Sequence, residues 1–161
     1  MKAGLMTHIL LVCTGNTCRS PMAEALLRRK LMERNIDNVT VASAGTGAWD
    51  GAPASEGAYL VALEHGLDLS GHRARLLTRD IANGATIVLT MGRHHRGRVE
   101  QLGGGEVHLL GEYAGRNGLD AEIRDPFGNE IDVYRETFEE LDTLLDQVVA
   151  RVERERLGDR R

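Results

Sequence analysis

A short apolar run near the start of the chain is the feature that most constrains its fold. Ile9-Leu10-Leu11-Val12 is continuous rather than alternating, which is typical of a strand buried on both faces of a sheet. A few residues later, Ser20-Pro21 has the pattern of a helix N-cap followed by proline at the first helical position. A buried strand that leads through a short loop into a helix is the opening unit of an α/β fold.

The rest of the chain continues this alternation, with three further predicted strands over 39–44, 87–89 and 107–110. Between them we predict two helices, over 54–65 and 94–102, and we expect residues 111–130 to be irregular. Apolar residues that step by three and four predict a long amphipathic helix near the end: Phe138, Leu141, Leu145, Val148 and Val152. This order predicts a parallel sheet covered by helices on both faces.

Length, charge and cysteine content narrow the class of protein. The 161 residues suit a single domain over 1–161, in which we expect the first and last few residues to be frayed. The formal net charge of -4 gives no reason to expect a nucleic acid or an acidic membrane as partner. No apolar run approaches the roughly 18 residues that a membrane span needs, and the N-terminus lacks the pattern of a secretory signal. The only cysteines, Cys13 and Cys18, indicate a reducing cytoplasm, and we expect a monomer.

The segment between the first strand and the first helix contains residue types that can bind an anion and carry out a reaction on it. We call it the phosphate loop, and it consists of Cys13, Thr14, Gly15, Asn16, Thr17, Cys18, Arg19 and Ser20. In open α/β sheets ligands bind at the carboxyl ends of the strands, where this loop lies. Its backbone N–H groups can surround an anion, and Gly15 permits backbone conformations that this needs. Arg19 adds a planar fork of donors for phosphate oxygens.

The same surroundings make Cys13 a candidate nucleophile. A positive site favours the thiolate over the thiol, and Ser20 can donate a hydrogen bond to the sulfur. A thiolate at the base of an anion site is placed for in-line attack on phosphorus. A lone cysteine at a strand end is more often a small buried hydrophobic residue. The combination of cysteine, glycine, arginine and serine, with a strand before and a helix after, favours the functional interpretation.

Other interpretations of the polar residues are weaker. A nucleotide-binding P-loop needs a Gly-Lys-Ser/Thr triplet, which is absent. Two thiolates supply half of a tetrahedral zinc shell and no second pair follows, which disfavours a zinc site. We also expect no cofactor. His94-His95, between Arg93 and Arg98, could suggest a metal or a nucleic acid, but adjacent histidines point to different faces of a helix. We interpret this pair as part of a solvated basic turn.

An extended stretch around the phosphate loop resembles a family signature. Val12-Cys13-Thr14-Gly15-Asn16-Thr17-Cys18-Arg19-Ser20-Pro21-Met22-Ala23-Glu24 is similar to the signature of the low-molecular-weight protein tyrosine phosphatases. The resemblance continues through Ser43-Ala44-Gly45, His72-Arg73-Ala74-Arg75 and Asp125-Pro126-Phe127, and so spans nearly the whole chain after Thr7. It implies an α/β fold with a four-stranded parallel sheet, a phosphocysteine intermediate and no metal.

The resemblance also implies roles for residues outside the loop. Asp125 matches the general acid that protonates the leaving group and later activates the water that hydrolyses the phosphocysteine. Taken alone, Asp-Pro is commonly only a turn. Asn16, Ser43 and His72 match residues that brace the loop by hydrogen bonds. Trp49 resembles a rim position of the family's pocket, where its ring could contact the substrate.

Two positions bear on the phosphorylated residue. Tyrosine-directed members often have a bulky aliphatic residue at the position of Thr17 and an aromatic residue at the position of Gly128. Thr17 and the run Asp125-Pro126-Phe127-Gly128 resemble instead the bacterial protein-arginine phosphatases of the family. We therefore expect specificity to depend on Thr17, Trp49, Phe127 and Gly128. The hypothesis is a cytoplasmic phosphatase that hydrolyses phosphoarginine on proteins, with a protein tyrosine phosphatase as the alternative.

Several points stay open at this level. Acidic residues near the mouth of the pocket, such as Asp50 or Asp120, could favour a cationic guanidinium. A thioredoxin-coupled arsenate reductase on the same fold needs further cysteines downstream, and none follows Cys18. A non-catalytic phosphate-binding module would need neither Cys13 nor Asp125. Cys18 is either a small buried thiol or a partner for a reversible disulfide that shields Cys13 from irreversible oxidation.

Overall fold

Within residues 6–157, which a computed structural model describes, four parallel strands form one sheet in the order β2-β1-β3-β4. The strands are β1 (Thr7–Cys13), β2 (Val39–Gly45), β3 (Ile87–Thr90) and β4 (Glu106–Leu109). Each neighbouring pair is parallel. The structure confirms the predicted fold class: a single α/β domain with a four-stranded parallel sheet, helices on both faces and the phosphate loop directly after β1.

Helices of very different length connect and follow the strands. The α-helices are α1 (Arg19–Glu33), α2 (Glu56–Glu64), α3 (Arg79–Asn83), α4 (Arg93–Gln101), α5 (Leu110–Tyr113) and α6 (Ile131–Val152). A 3-10 helix covers Gly118–Ala121, and a π-helical turn, Glu153–Leu157, continues α6. In the described part of the chain no helix is both long and apolar enough to cross a membrane. The expected fraying of the first and last few residues concerns positions outside 6–157.

The two faces of the sheet are covered by different helices. On one face, Ile9 and Leu11 of β1 belong to the main core, together with apolar residues of α1, α2 and α6 such as Phe138. On the other face, Leu10 and Val12 pack with residues of α3 and α4. β1 is therefore buried on both faces, as its continuous apolar run predicts. This fixes the end of β1, and with it the start of the phosphate loop.

The start of α1 differs from the expectation. The helix begins at Arg19, and Cys18 at the N-cap position makes no side-chain cap hydrogen bond. The prediction that Ser20 is the N-cap is wrong, because Ser20 already lies in the first turn. Pro21 still suits this turn, since the first N–H groups of a helix have no partner within it.

The stretch from Gly111 to Glu130 is not irregular throughout, which also differs from the expectation. It contains most of α5 and the 3-10 helix. α3 is a further helix that the sequence pattern does not predict. These elements are four or five residues long, which is too short to show the period of a helix.

β2 is an edge strand, and arginine side chains cover its outer carbonyl groups. Arg28 Nη2 donates to the carbonyl oxygen of Val41 at 2.7 Å. Arg75 Nε donates to the carbonyl oxygen of Ser43 at 2.9 Å. These carbonyl groups have partners although none of the described strands pairs with β2 on that side.

The carboxyl ends of the strands bring distant segments together. The phosphate loop follows β1, and the turn that leads into α4 follows β3. The Met91 N–H donates to the carbonyl oxygen of Val12 at 3.0 Å, and the Gly47 N–H donates to that of Thr14 at 2.9 Å. This is the edge at which parallel α/β sheets bind ligands.

Candidate active site

The phosphate loop curls around the sulfur of Cys13. Asn16 has a φ of 57°, in the left-handed region, where asparagine is better tolerated than most residues. This conformation turns the Asn16 N–H toward the Cys13 sulfur, to which it donates at 3.3 Å. Asn16 is fully buried, so the loop conformation is held from inside the protein.

The side chain of Asn16 joins the loop to its surroundings. Its Nδ2 donates to Ser20 Oγ at 2.8 Å and to Ser43 Oγ at 2.9 Å. Its Oδ1 accepts from the Arg75 N–H at 2.9 Å, and its carbonyl oxygen accepts from His72 Nε2 at 2.6 Å. The structure thus brings together the residues predicted to brace the loop. It adds Arg75, which the sequence analysis places in a matching run without giving it a role.

Ser20 is the second polar neighbour of the Cys13 sulfur. Ser20 Oγ accepts a hydrogen from Asn16 Nδ2 and has one hydrogen of its own to donate. It lies 2.9 Å from the Cys13 sulfur, and the hydrogen bond between them can run in either direction. A nucleophilic thiolate at this position would accept from Ser20 Oγ as well as from the Asn16 N–H.

Arg19 is buried and extends from the first turn of α1 toward Asp125. Its Nη1 donates to the carbonyl oxygen of Ile123 at 2.9 Å, and its Nη2 lies 3.5 Å from Asp125 Oδ2. Its Nε is buried and has no hydrogen-bond partner among the described residues. A buried guanidinium donor with no protein acceptor, on the wall of a cavity, is suited to a phosphate oxygen.

Asp125 lies at the edge of the same site. Its carboxylate is half-exposed, and Oδ1 accepts from the Phe127 N–H at 3.0 Å, which stabilises the turn around Pro126. The carboxylate therefore has both solvent access and a fixed local turn. The segment that contains it, residues 118–130, is called the acid segment below.

One cavity of about 350 Å³ contains these groups. Its lining includes most of the phosphate loop and the candidate acid: Cys13, Thr14, Gly15, Thr17, Cys18, Arg19, Gly47, Trp49, Ala52, Asp125 and Phe127. The rings of Trp49 and Phe127 are 84% and 67% exposed, so they form the mouth rather than the base. The cavity has an anion site at its base and two aromatic surfaces at its entrance.

Some of the positions proposed for specificity lie elsewhere. Thr17 lines the cavity, but Gly128 does not. Gly128 has a φ of 81° and open space around its Cα, so a side chain there would be strained by the backbone. Asp50 and Asp120 do not line the cavity either, and Asp50 Oδ1 accepts from the Leu76 N–H at 2.6 Å.

His95 belongs to the site although sequence reasoning places it in a solvated turn. That interpretation fits His94, which is exposed, and is wrong for His95, which is fully buried. His95 Nδ1 accepts from the Gly92 N–H at 3.0 Å, so Nε2 bears the hydrogen and donates to Thr14 Oγ1 at 2.8 Å. Burial above all, and then the nearby His94 and Arg19, lowers the pKa of His95 to about 3. His95 and Val99 are one helical turn apart and both buried, a spacing that could have revealed this face.

The second cysteine of the loop is in a different environment from the first. Both thiols are free, and Cys18 Sγ lies 3.1 Å from Ser55 Oγ and 3.8 Å from the Tyr134 hydroxyl. Burial raises the pKa of the Cys18 thiol. Cys18 is therefore held neutral.

Comparisons with known proteins agree with this site. The family of low molecular weight phosphotyrosine protein phosphatases matches residues 8–157. A protein-arginine-phosphatase of Geobacillus stearothermophilus is 38% identical over 151 residues, which cover 92% of this chain and 97% of that protein. A probable low molecular weight protein-tyrosine-phosphatase, EpsP of Ralstonia nicotianae, is 37% identical over 151 residues, with coverage of 92% and 97%.

A solved structure also matches this chain over most of its length. A mutant of the YwlE arginine phosphatase with a phosphorylated active site serine superposes with a TM-score of 0.85 at 37% identity. The match covers 95% of this chain and 100% of that one. Signature loop, fold and relatives therefore lead to one conclusion: the chain belongs to the low molecular weight phosphotyrosine protein phosphatase family.

Proposed function

We propose that this chain is a cysteine-dependent protein phosphatase that hydrolyses phosphoarginine on proteins through a phosphocysteine intermediate. The observation that carries the proposal is the sulfur of Cys13, which accepts from the Asn16 N–H and lies 2.9 Å from Ser20 Oγ, in a cavity that also contains Asp125. Nucleophile, anion site and acid are thus within one pocket. A site that only bound phosphate would need neither the activated sulfur nor the acid.

The first step transfers the phosphoryl group to sulfur. Phosphate oxygens accept hydrogen bonds from the loop N–H groups and from Arg19 Nε, which has no acceptor within residues 6–157. The Cys13 thiolate attacks phosphorus, an S–P bond forms, and the P–N bond to the guanidinium breaks with its electron pair going to nitrogen. Asp125 gives its proton to that nitrogen, so the arginine leaves as a neutral or protonated guanidine rather than an anion.

The second step returns the enzyme to its starting state. The Asp125 carboxylate takes a proton from a water molecule as the water oxygen attacks phosphorus. The S–P bond breaks, its electrons return to sulfur, and inorganic phosphate leaves. Cys13 is again a thiolate and Asp125 again an acid, so the cycle needs no other group.

One observation in the cavity supports arginine over tyrosine. The named protein-arginine-phosphatase relative is 38% identical to this chain and the tyrosine-phosphatase relative is 37% identical, so identity alone does not decide. Thr17 lines the cavity and places a hydroxyl and a small side chain where tyrosine-directed members often have bulk. The hydroxyl could orient the N–P bond or the attacking water. Phosphotyrosine remains the second candidate, because the exposed rings of Trp49 and Phe127 could hold a phenol ring between them.

The experiment is a direct comparison of turnover on phosphoarginine and phosphotyrosine peptides. We expect higher kcat/KM on phosphoarginine, and a shift of the ratio toward phosphotyrosine by about tenfold or more in Thr17→Ile, which is about 1.4 kcal/mol in relative transition-state binding. Cys13→Ser is the control and should abolish turnover of both peptides. An unchanged ratio in Thr17→Ile would remove the structural basis for the arginine preference. Phosphate binding without turnover in the wild type would identify a binding module instead.

The proposal includes the setting in which the enzyme works. Its partners are phosphorylated proteins rather than nucleic acids or membranes, in keeping with the net charge of -4. We propose a monomer in the cytoplasm, where a reducing environment keeps the Cys13 thiol available. Size-exclusion chromatography with light scattering tests the monomer.

A further inference from the structure

The N-terminus of α4 is capped by a residue from another part of the chain. Its N-cap residue, Gly92, has no side chain to offer, and the first N–H of the helix belongs to Arg93. Glu122 Oε1 accepts from the Arg93 N–H at 3.3 Å, and Glu122 Oε2 accepts from Arg93 Nη1 at 2.9 Å. A carboxylate at a helix N-terminus is favourable both as an acceptor and as a negative charge. Glu122 belongs to the acid segment, so this cap connects α4 to that segment.

Gly92 leaves room for this carboxylate. A Cβ atom at position 92 would lie 2.8 Å from Glu122 Oε1, closer than side-chain carbons approach oxygen. The hydrogen bonds from Arg93 hold the pKa of Glu122 below its usual value, so Glu122 is an anion at neutral pH. The Glu122 carboxylate therefore has space on the side of Gly92 and hydrogen-bond donors on the side of Arg93.

The same turn holds the acid segment at further points. Arg93 Nη2 donates to the carbonyl oxygen of Gly118 at 2.8 Å. The Ile123 N–H donates to the carbonyl oxygen of Met91 at 2.9 Å. Contacts therefore occur on either side of Glu122, from the start of the acid segment to a point two residues before Asp125.

The turn is also fixed to the phosphate loop. Met91 is bonded to the end of β1 through Val12, and His95 donates to Thr14 from the first turn of α4. Asp125 itself has few contacts: the local bond from Phe127 and the guanidinium of Arg19 at 3.5 Å. Its place relative to Cys13 thus follows largely from how the backbone before it is held.

We propose that Glu122 is a positioning residue for the acid step: by capping α4 from the acid segment, it sets where the Asp125 carboxyl lies relative to a phosphoryl group on Cys13. The inference rests on the proposed function, because it takes Asp125 to be the proton donor. It is distinct from that function, since Glu122 does not line the cavity and does not touch the substrate.

The test compares two substrates that differ in their need for an acid. Phenyl phosphate has a poor leaving group and needs protonation, whereas p-nitrophenyl phosphate needs it much less. The quantity compared is kcat/KM, which reports the transfer to Cys13 and not the later hydrolysis that both substrates share. We expect Glu122→Gln and Glu122→Ala to lower kcat/KM for phenyl phosphate about tenfold more than that for p-nitrophenyl phosphate, because small displacements of a catalytic group are costly. Gly92→Ala should produce the same selective loss, since its methyl group displaces the carboxylate without removing it.

Glu112→Gln is the matched control. Glu112 also pairs with Arg93, at 3.8 Å, and its side chain is 39% exposed, against 40% for Glu122. It lies outside the acid segment, so we expect no difference between the two substrates. Thermal unfolding of each variant checks that the fold is retained. If Glu122→Ala does not fold, the comparison is made with Glu122→Gln alone.

The outcomes separate this inference from the proposed function. The positioning role would be overturned by an equal loss on both substrates in the Glu122 variants, or by an equally selective loss in Glu112→Gln. In either case, a selective loss in Asp125→Asn would leave the proposed function intact. An equal loss on both substrates in Asp125→Asn would instead overturn the acid role. In the double variant with Asp125→Asn, Glu122→Gln should add no further selectivity, since its effect passes through Asp125. Added selectivity there would contradict the inference.

Discussion

The phosphate loop and the acid segment meet in one cavity but are held in different ways. The phosphate loop is organised around the fully buried Asn16. The carbonyl oxygen and the side-chain amide of Asn16 both form hydrogen bonds with neighbouring residues. The acid segment carries the half-exposed carboxylate of Asp125 and contains the positive-φ residues Gly118 and Gly128. Its contacts come from Arg19 of the phosphate loop and from the turn and the first residue of α4. The nucleophile is therefore fixed from within the core, whereas the acid is also positioned by a second element that can be altered separately.

The largest effect that tests this difference should come from Asn16→Ala. The change leaves Ser20, Ser43 and the Arg75 N–H without their partner and places alanine at a φ of 57°. We expect the free energy of unfolding to fall by about 3 kcal/mol, because buried polar groups lose their hydrogen bonds. We expect turnover to fall by about 10²-fold or more on phenyl phosphate and p-nitrophenyl phosphate alike.

Urea unfolding and steady-state kinetics measure both quantities. Asn16→Gly is the control, since glycine adopts the left-handed conformation without strain but also loses the side-chain network. Similar losses in the two variants assign the effect to the network. Full activity in Asn16→Gly would show that only the backbone conformation matters.

A smaller and more selective effect is expected at the other region, from Asp125→Asn. Asparagine still accepts from the Phe127 N–H but cannot donate the acidic proton. We expect kcat/KM for phenyl phosphate to fall about 10²-fold and that for p-nitrophenyl phosphate much less, because kcat/KM reports the transfer to Cys13 and not the later hydrolysis that both substrates share. Little change in melting temperature should accompany it, because the side chain is half-exposed. A large loss of stability would mean that the acid segment is as tightly integrated as the phosphate loop.

The smallest effect concerns His95, which links the two regions through the start of α4. Its pKa is about 3 in the folded protein, against about 6.5 in an unfolded chain. Between these values the unfolded chain binds a proton that the folded protein does not, so stability falls as the pH falls through this window. The slope from this residue is at most about 1.4 kcal/mol per pH unit, and His95→Gln should remove it.

Urea unfolding between pH 7 and pH 5 tests this prediction, because carboxylates still contribute little there. His94→Gln is the comparison, since His94 is adjacent and exposed. It should change the slope much less, although His94 contributes in part to the shift at His95. Equal slopes in the wild type and His95→Gln would show that His95 titrates normally.

Sequence reasoning found the phosphate loop better than the acid segment, for physical reasons. The apolar run of β1 and the loop that follows it are contiguous in the chain, so pattern and chemistry are read together. Asn16, Ser43 and His72 come from the family resemblance, and the structure joins Ser43 and His72 to Asn16, whose N–H donates to the Cys13 sulfur.

What the sequence did not reveal depends on contacts between distant segments. Glu122 and Arg93 are 29 positions apart, in a stretch without periodicity, so no local pattern connects them. The burial of His95 depends on how α4 packs against the end of β3, and α5 is too short for a periodic signal. Gly128 is a different case. Its residue type is read directly from the sequence, but its backbone φ of 81° becomes known only from the structure.

The covered edge of β2 has a consequence for how the protein behaves at high concentration. An edge strand with free carbonyl groups is a template on which another chain can add a strand, and such addition leads to aggregation. Arg28 and Arg75 already occupy the outward carbonyl groups of Val41 and Ser43. Arg75 also donates its backbone N–H to Asn16. Arg75 therefore both covers a carbonyl group at the edge of β2 and supports the loop around Cys13, so a change at Arg75 would act on self-association and on activity together.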